Sequence, residues 1–335
     1  WAAPAWPKEY GGTGWSAEQR FIFAEEYWRR DLPPLLPNGL QMVGPLLIEL
    51  GSAEQKAKYL PKMASGEMIG AIAMTEPAAG SDLQGIKTRA EKKGDHFVLN
   101  GSKTFITNGW HADLVIVVAK TNPNEGAKGT SLFLIERDMK GFEKGKRLKK
   151  LGLKAQDTSE LFFNDVQVPM ENLLGGAAYE NRGFVCLMEE LPWERLQIAV
   201  TAVASAQAAV DWTLNYVKER KAFGQPVGNF QNTRYKLAEM QTEVQIAQVF
   251  LDRCTELLLK KQLDTATASM AKYWCTDLQC KVMDECVQLH GGYGYMWEYP
   301  VTRAFADARV QRIYGGTNEI MKEVISRSMG LTGRL

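Results

Sequence analysis

Histidine, cysteine and unbalanced charge are all scarce in this chain. Its three histidines include no two at ligand spacing, so a zinc site is not predicted. The five cysteines are odd in number and form no C-x-x-C motif, which favours buried thiols in a reducing compartment over a disulfide framework. The formal net charge of +1 gives no electrostatic reason to expect nucleic acid as a partner.

Long apolar runs are missing as well. The longest clean run, Leu114 to Ala119, is far too short to span a bilayer, so no stable membrane insertion is expected. The first residues show no cationic stretch followed by an apolar one, so no targeting segment is visible. No Met begins the chain, which is consistent with trimmed first residues.

The hydrophobic period changes twice along the 335 residues, enough chain for two or three structural units. Loop and helix patterns up to residue 66 give way to short strands over 67–170, with Asn100-Gly101 as a predicted hairpin turn. Helical spacing returns over 171–335, with long helices predicted at 232–261 and 265–289. The pattern predicts helices, then a β-barrel or sandwich, then a bundle of long helices.

Two blocks in the strand region could hold a flat ligand. Met74 to Asp82 combines small residues, which let the backbone approach a ligand, with two hydroxyls; a plain surface turn explains it equally well. Phe105 to Gly109 follows, with Thr107 at a strand end. Most threonines at such positions are simply β-branched strand residues, so that interpretation stays open.

Three more blocks lie in the helical region. Arg220 to Gly224 reads as a basic helix end stopped by glycine, with the cations favourably placed on the helix dipole. Gln288 to Tyr295 is glycine-rich, and without a P-loop lysine it is a weak phosphate-binding pattern. Tyr314 to Glu319 forms a second glycine turn. Glu194, on the helix that opens the bundle, would by itself be read as a solvated or paired carboxylate.

Taken together, these blocks resemble the acyl-CoA dehydrogenase family of flavoenzymes over nearly all of residues 40–330, and the long-chain type most closely. The resemblance implies an α+β multidomain fold. Its parts are a shortened N-terminal helical domain (1–66), a central β-barrel or sandwich domain (67–170) and a C-terminal four-helix bundle domain (171–335).

The resemblance implies FAD as the cofactor. Thr75 matches a residue that binds the flavin pyrimidine edge, and Thr107 matches one that binds flavin N5. Arg220 and Gln231 match residues that reach a neighbouring subunit's diphosphate and adenosine, and His290 is expected to be a packing residue. The full set of implied FAD-binding residues is Met74, Thr75, Gly80, Ser81, Phe105, Ile106, Thr107, Arg220, Phe223, Gln231, Gln288, Gly291, Gly292, Thr317, Asn318 and Glu319.

The implied catalytic base is Glu194. Many family members carry a catalytic glutamate directly after the residue matching Tyr314, but Gly315 stands there in this chain. The long-chain and isovaleryl types place the base where Glu194 stands, and Glu319 ranks below it. The implied substrate-binding residues are Ser81, Arg195, Tyr314 and Gly315.

The expected reaction converts a fatty acyl-CoA thioester to the trans-2-enoyl-CoA, with the electrons passed to an electron-transfer flavoprotein. Alternatives with the same chemistry are an isovaleryl- or steroid-acyl-CoA dehydrogenase, or an acyl-CoA oxidase; a non-catalytic helical scaffold is the alternative of another class. By analogy, a neighbouring subunit completes the flavin site, so a dimer or tetramer is expected. The expected location is the cytoplasm in a bacterium or the mitochondrial matrix in a eukaryote.

Overall fold

The computed structural model describes residues 3–30, 32 and 38–331, which form two compact units. The sheet unit contains residues 3–16, 38–150 and 154–189, and the helical unit contains residues 17–30, 32, 151–153 and 190–331. The three domain boundaries expected from the sequence stay a prediction.

Helices and strands follow one another in the order that the change of period indicates. The helices are α1 (Ala17–Arg29), α2 (Gly44–Leu50), α3 (Ala53–Ser65), α4 (Gly183–Glu219), α5 (Gln231–Leu259), α6 (Thr265–His290), α7 (Pro300–Ala308) and α8 (Asn318–Ser328). The strands are β1 (Gly70–Ala73), β2 (Arg89–Lys93), β3 (His96–Thr107), β4 (Leu114–Lys120), β5 (Thr130–Glu136), β6 (Phe142–Arg147), β7 (Thr158–Pro169), β8 (Lys221–Ala222) and β9 (Gln225–Pro226).

The sheet unit is built on one twisted sheet of the first seven of these strands, in the order β1-β4-β2-β3-β7-β6 with β5 also paired to β4. β1 and β4 run parallel, whereas β3 pairs antiparallel with both β2 and β7. β4 is buried on both faces, because Ile116 packs in one apolar cluster and Val117 in the other. α2 and α3 cover the Ile116 face, and Ser52 and Gln55 form a complete capping box at the start of α3.

The hairpin predicted at Asn100-Gly101 is wrong. Both residues lie inside the continuous strand β3, where the register with β7 shifts between Leu99 and Gly101. Gly101 is required there because a Cβ on it would lie 2.4 Å from Thr88 Oγ1, so this glycine permits close packing and not a turn. The side chain of Asn100 bonds across the sheet to Asp165 instead.

The helical unit is a bundle in which α4, α5 and α6 share one apolar core with α1 and α7, and α8 packs on α6. The core includes Phe21 from α1, Val203 from α4, Val244 from α5 and Val282 from α6, all buried. The long helices predicted at 232–261 and 265–289 correspond to α5 and α6. Within the described residues, no helix combines the length and apolarity needed to cross a membrane.

Candidate active site

The two sequence blocks of the strand region lie side by side in the sheet unit. The backbone N–H of Thr104 donates to the Thr75 carbonyl at 2.9 Å. The ammonium of Lys103 donates to the carbonyl of Met74, 29 positions away in the chain, also at 2.9 Å. The end of β1 is therefore fixed against the second half of β3, as a shared ligand site requires.

A buried ion pair between Lys103 and Glu76 connects these blocks. Their side chains are 0% and 7% exposed, and Lys103 Nζ lies 2.9 Å from Glu76 Oε1. The backbone N–H groups of Lys87 and Thr88 also donate to the Glu76 carboxylate. Burial lowers the pKa of Lys103 to about 8, against the attraction of Glu76. Burial acts to raise the pKa of Glu76, but Lys103 and the hydrogen bonds outweigh it, so that pKa is lowered.

Sequence reasoning missed this pair, although β3 carries a signal for it. Phe97 and Leu99 are buried at alternate positions, and Lys103 continues the same alternation. A lysine on the buried face of a strand requires a hydrogen-bonding or ionic partner, so the alternation of β3 predicts a carboxylate nearby.

Phe105 is turned outward by an irregularity in β3. Its φ is +58°, and the register with β7 shifts between Lys103 and Ile106. The Phe105 ring is consequently 67% exposed, whereas Ile106 is buried in the sheet core. An outward ring suits a cover for a flat ligand, while Ile106 can offer such a ligand only its backbone. Thr107 is half-buried at the strand end.

Gly80 and Ser81 follow a tight turn in which Glu76 and Ala79 exchange backbone hydrogen bonds at 3.0 and 3.1 Å. Both residues are exposed, and a Cβ on Gly80 would meet nothing within 4 Å. The Ser81 hydroxyl and this stretch of backbone are therefore open to a ligand, as expected from the small residues of the block.

In the helical unit, Glu194 and Arg195 are adjacent on α4. Glu194 is half-buried, and Arg195 is only 5% exposed, with Nη1 donating to Ser269 Oγ at 3.2 Å. Burial lowers the pKa of Arg195, and the charge of Glu194 opposes that shift. The predicted base thus has a buried cation as its neighbour.

Gly315 lies against α4 one turn beyond Glu194. A Cβ on Gly315 would come 2.5 Å from Cδ1 of Ile198, and Gly315 has φ +64°. Residues four apart share one face of a helix, so Glu194 and Ile198 lie on the same face of α4. The structure therefore brings the Gly315 turn and the face that carries Glu194 together, which the sequence could not reveal.

The rest of the Tyr314–Glu319 block divides between capping and burial. The Tyr314 hydroxyl donates to Gln311, and Thr317 caps α8 by accepting from the Ile320 N–H. The amide of Asn318 is buried and bonds to α6. Glu319 is exposed in the first turn of α8, where its own backbone N–H and the Thr317 hydroxyl lower its pKa. A carboxylate stabilised in its charged form is a poor proton acceptor, so Glu319 is the weaker candidate base.

A cleft of about 540 Å³ at the end of the bundle collects residues from two other blocks. Arg220, Gln288, Gly291 and Gly292 all line it. The Arg220 guanidinium lies 5.3 Å from the ring centroid of Tyr293, and a Cβ on either glycine would meet nothing within 4 Å. Open backbone beside a guanidinium suits an anionic ligand such as a diphosphate.

His290 packs beneath this cleft as expected. It is buried, its ring stacks on Tyr216 at 4.2 Å, and its Nδ1–H donates to the Cys286 carbonyl at 2.8 Å. Burial lowers the pKa of His290, so the ring is neutral near pH 7 and has a structural part.

Two predicted cofactor residues lie beside the cleft on the hairpin β8–β9 and the start of α5. Phe223 is 95% exposed with φ +51°, in edge contact with Phe230. Gln231 Nε2 donates to the Tyr235 hydroxyl at 2.6 Å. The Phe223 ring is therefore open to contact from outside this chain.

Each of the two units, taken by itself, offers groups of a kind that FAD requires. Thr75, Ser81 and Thr107 supply hydroxyls and backbone, and Phe105 supplies an outward aromatic face. The cleft with Arg220 supplies a cation beside open glycine backbone. Uncharged hydrogen-bonding groups suit a flavin ring, and a guanidinium suits a diphosphate, so the residues fit this cofactor.

These features define a flavoenzyme fold with a middle sheet and a carboxylate-bearing helical bundle, and comparison with known proteins agrees. Residues 1–67, 71–166 and 181–330 match the N-terminal, middle and C-terminal domains of acyl-CoA dehydrogenase, respectively. The chain is 53% identical over 321 residues to the mitochondrial long-chain specific acyl-CoA dehydrogenase of Sus scrofa, covering 95% of this chain and 74% of that one.

Further relatives support the same assignment. The corresponding Mus musculus protein is 56% identical over 290 residues, which is 86% of this chain and 67% of that one. The crystal structure of acyl-CoA dehydrogenase from Geobacillus kaustophilus superposes with a TM-score of 0.92 at 45% identity, covering 98% of this chain and 87% of that one. This chain belongs to the acyl-CoA dehydrogenase family, whose members are FAD-dependent oxidoreductases.

Proposed function

We propose that this protein removes the α and β hydrogens of a long-chain acyl-CoA to give the trans-2-enoyl-CoA, with Glu194 as the base. The observation that carries the proposal is the contact between Gly315 and Ile198. A side chain at position 315 is disfavoured because φ is +64° there and because its Cβ would start 2.5 Å from Ile198 Cδ1, so Ile198 would have to move. We therefore place the carboxylate for this site on the facing helix, where Glu194 stands one turn away.

In this mechanism Glu194 accepts the α-proton, with the buried guanidinium of Arg195 as its neighbour on α4. The thioester oxygen gains negative charge as the proton leaves, so a hydrogen-bond donor aimed at it lowers the barrier. The backbone N–H of Gly315 is that donor, and it survives the loss of a side chain at this position. FAD, when bound, supplies the acceptor for the β-hydride.

The proposed flavin-ring contacts are Thr75, Phe105, Ile106 and Thr107, with Met74, Gly80 and Ser81 beside them. The other proposed FAD contacts are Arg220, Phe223, Gln231, Gln288, Gly291, Gly292, Thr317, Asn318 and Glu319. The proposed substrate contacts are Ser81, Arg195, Tyr314 and Gly315. The side-chain amide of Asn318 is already engaged within the bundle, so we assign its contribution to the shape of the loop.

We also propose a dimer or tetramer and an electron-transfer flavoprotein as the electron acceptor. The 95% exposed ring of Phe223 supports assembly, because a second subunit would cover it. The relatives described as long-chain specific and mitochondrial support a long acyl chain and, for a eukaryotic source, a matrix location.

Anaerobic mixing of the flavin-loaded protein with palmitoyl-CoA tests this function. We expect the flavin absorbance to bleach in the wild type and in Glu319→Gln, and to stay almost unchanged in Glu194→Gln with flavin still bound. Equal bleaching in wild type and Glu194→Gln would remove Glu194 from its assigned part. Repeating the experiment with butyryl-, isovaleryl- and palmitoyl-CoA tests the chain length, and fastest bleaching with either short thioester would contradict it.

A further inference from the structure

A fully buried lysine lies behind the turn that contains Gly315. Lys272, on α6, is 0% exposed, and its ammonium donates to the Gly316 carbonyl at 2.7 Å and to Asn318 Oδ1 at 2.9 Å. Both acceptors are uncharged. Among the described residues, no carboxylate lies within ion-pair distance of this ammonium, in contrast to Lys103 of the sheet unit, which contacts Glu76.

The turn itself has little intrinsic rigidity. Gly315 and Gly316 follow one another with φ +64° and +87°. Consecutive glycines have access to more backbone conformations than any other pair, so contacts from outside must select one of them. Lys272 makes the contact on the C-terminal side of the turn, and Ile198 limits it on the side of α4.

Stability alone does not explain a lysine at this position. Replacing a buried charge by an apolar side chain of similar volume is often neutral or stabilising, and methionine would fill the same space. Arg195 adds a second buried cation from α4, and its repulsion lowers the pKa of Lys272 further, after burial, to about 8. Because burying this charge is unfavourable, we expect the Lys272 side chain to have a role in positioning the turn.

We propose that Lys272 is a positioning residue for the dehydrogenation: by holding the Gly316 carbonyl and Asn318, it keeps the Gly315 N–H aimed at the thioester oxygen. This inference rests on the proposed function. Lys272 itself does not touch the substrate.

The test isolates proton transfer from flavin reduction. A hexadecanoyl-CoA with two methyl groups on its β-carbon has α-hydrogens but no β-hydrogen, so it can exchange α-hydrogen with deuterated water and cannot be dehydrogenated. Exchange is followed by mass spectrometry at saturating thioester. We expect Lys272→Met to exchange about 10²-fold more slowly than wild type, near the cost of losing one oxyanion donor, with similar thioester affinity.

A spectroscopic measurement separates positioning from a general loss of stability. The carbon-13 resonance of a bound thioester labelled at its carbonyl reports the hydrogen bonds to the oxygen. In Lys272→Met it should move toward the value in free solution. Thr213→Val is the matched control, because Thr213 is an equally buried polar residue of the bundle whose hydroxyl donates to the Ala209 carbonyl of α4 and makes no hydrogen bond to the Gly315 turn among the described contacts. The control should leave both the exchange rate and the resonance unchanged.

Each outcome bears on the proposal. Exchange in folded Lys272→Met within twofold of wild type, or an unmoved resonance, would overturn it. Lys272→Leu, which is uncharged and cannot donate a hydrogen bond, is the second variant, and a wild-type rate there would count equally against the proposal. Failure of both variants to fold would assign Lys272 to stability and overturn the proposal. Unchanged exchange in Glu194→Gln would instead refute the underlying function, which is a distinguishable result.

Discussion

Moving the catalytic carboxylate from α4 to the glycine turn should sharply reduce activity in this chain. The variant Glu194→Gly with Gly315→Glu puts a carboxylate at the position that many family members use. The structure opposes it in two ways. A non-glycine residue at φ +64° costs about 1–2 kcal/mol. The new Cβ also starts 2.5 Å from Ile198 Cδ1, and overpacking of this kind costs about 1–3 kcal/mol.

These costs fall on the turn that aims the Gly315 N–H, so they reduce the rate as well as the stability. If the whole of about 2–5 kcal/mol is added to the activation barrier, the reaction rate falls by roughly 30- to several-thousand-fold. Adding Ile198→Ala removes the clash but not the backbone cost, so it should restore part of the activity. Ile198→Ala alone in the wild-type background is the control for the cavity it creates.

Anaerobic bleaching of the flavin by palmitoyl-CoA measures the rate, and urea unfolding of the same flavin-loaded samples measures the stability. The reasoning is refuted if the exchanged variant bleaches at the wild-type rate without any change at Ile198. It is also refuted if Ile198→Ala affects the exchanged variant and the wild type equally, since the two sites would then be uncoupled.

Three further results are expected. Lys103→Met should lower the free energy of unfolding by about 3–5 kcal/mol, because it leaves the buried carboxylate of Glu76 without its cation. The control is Lys58→Met, at an ion pair whose lysine is 52% exposed, which should lower the free energy of unfolding by under about 1 kcal/mol. Equal losses in the two variants would contradict this prediction. The pKa of Lys272 is lowered to about 8, so between pH 8 and about 10.5 only the unfolded chain holds that proton. Wild type should gain stability with rising pH relative to Lys272→Met, by up to about 1.4 kcal/mol per pH unit in urea titrations, and parallel curves would argue against it. Phe223→Ala should shift the assembly toward smaller species in analytical ultracentrifugation, whereas Tyr295→Ala, at a ring 82% exposed, should not.

The long helices and most strands could be predicted because their patterns are local. α5 and α6 follow from apolar spacing and end within two residues of the expected limits. β6 gives no clear strand signal in the sequence, because Phe142–Arg147 is charged at most positions and lies at the edge of the sheet, where alternation is weak. The Asn100-Gly101 error has a similar origin: an NG pair permits a turn, but the neighbouring strands decided that β3 continues.

The site was predictable as residue types and only partly as geometry. The blocks around Thr75 and Thr107 do meet in the sheet, and Arg220 does share a cleft with Gly291. The buried lysines behind the site were not foreseen, because lysine is most often exposed and nothing local marks Lys272 as buried. For the other buried lysine, Lys103, the alternation of buried residues along β3 could have predicted its burial in advance.

The choice between the two candidate carboxylates shows what the sequence pattern lacks. Glu194 and Glu319 both stand in segments that resemble the active-site segments of the family. The residue type alone does not distinguish a glutamate that acts as a base from one that is solvated. The structure separates them by environment: Glu319 is exposed in the first turn of α8, where its charged form is stabilised, whereas Glu194 is half-buried beside the buried Arg195. Basicity in a protein is set by desolvation and neighbouring charge, both of which depend on contacts distant in the chain, so packing decides which carboxylate can act as the base.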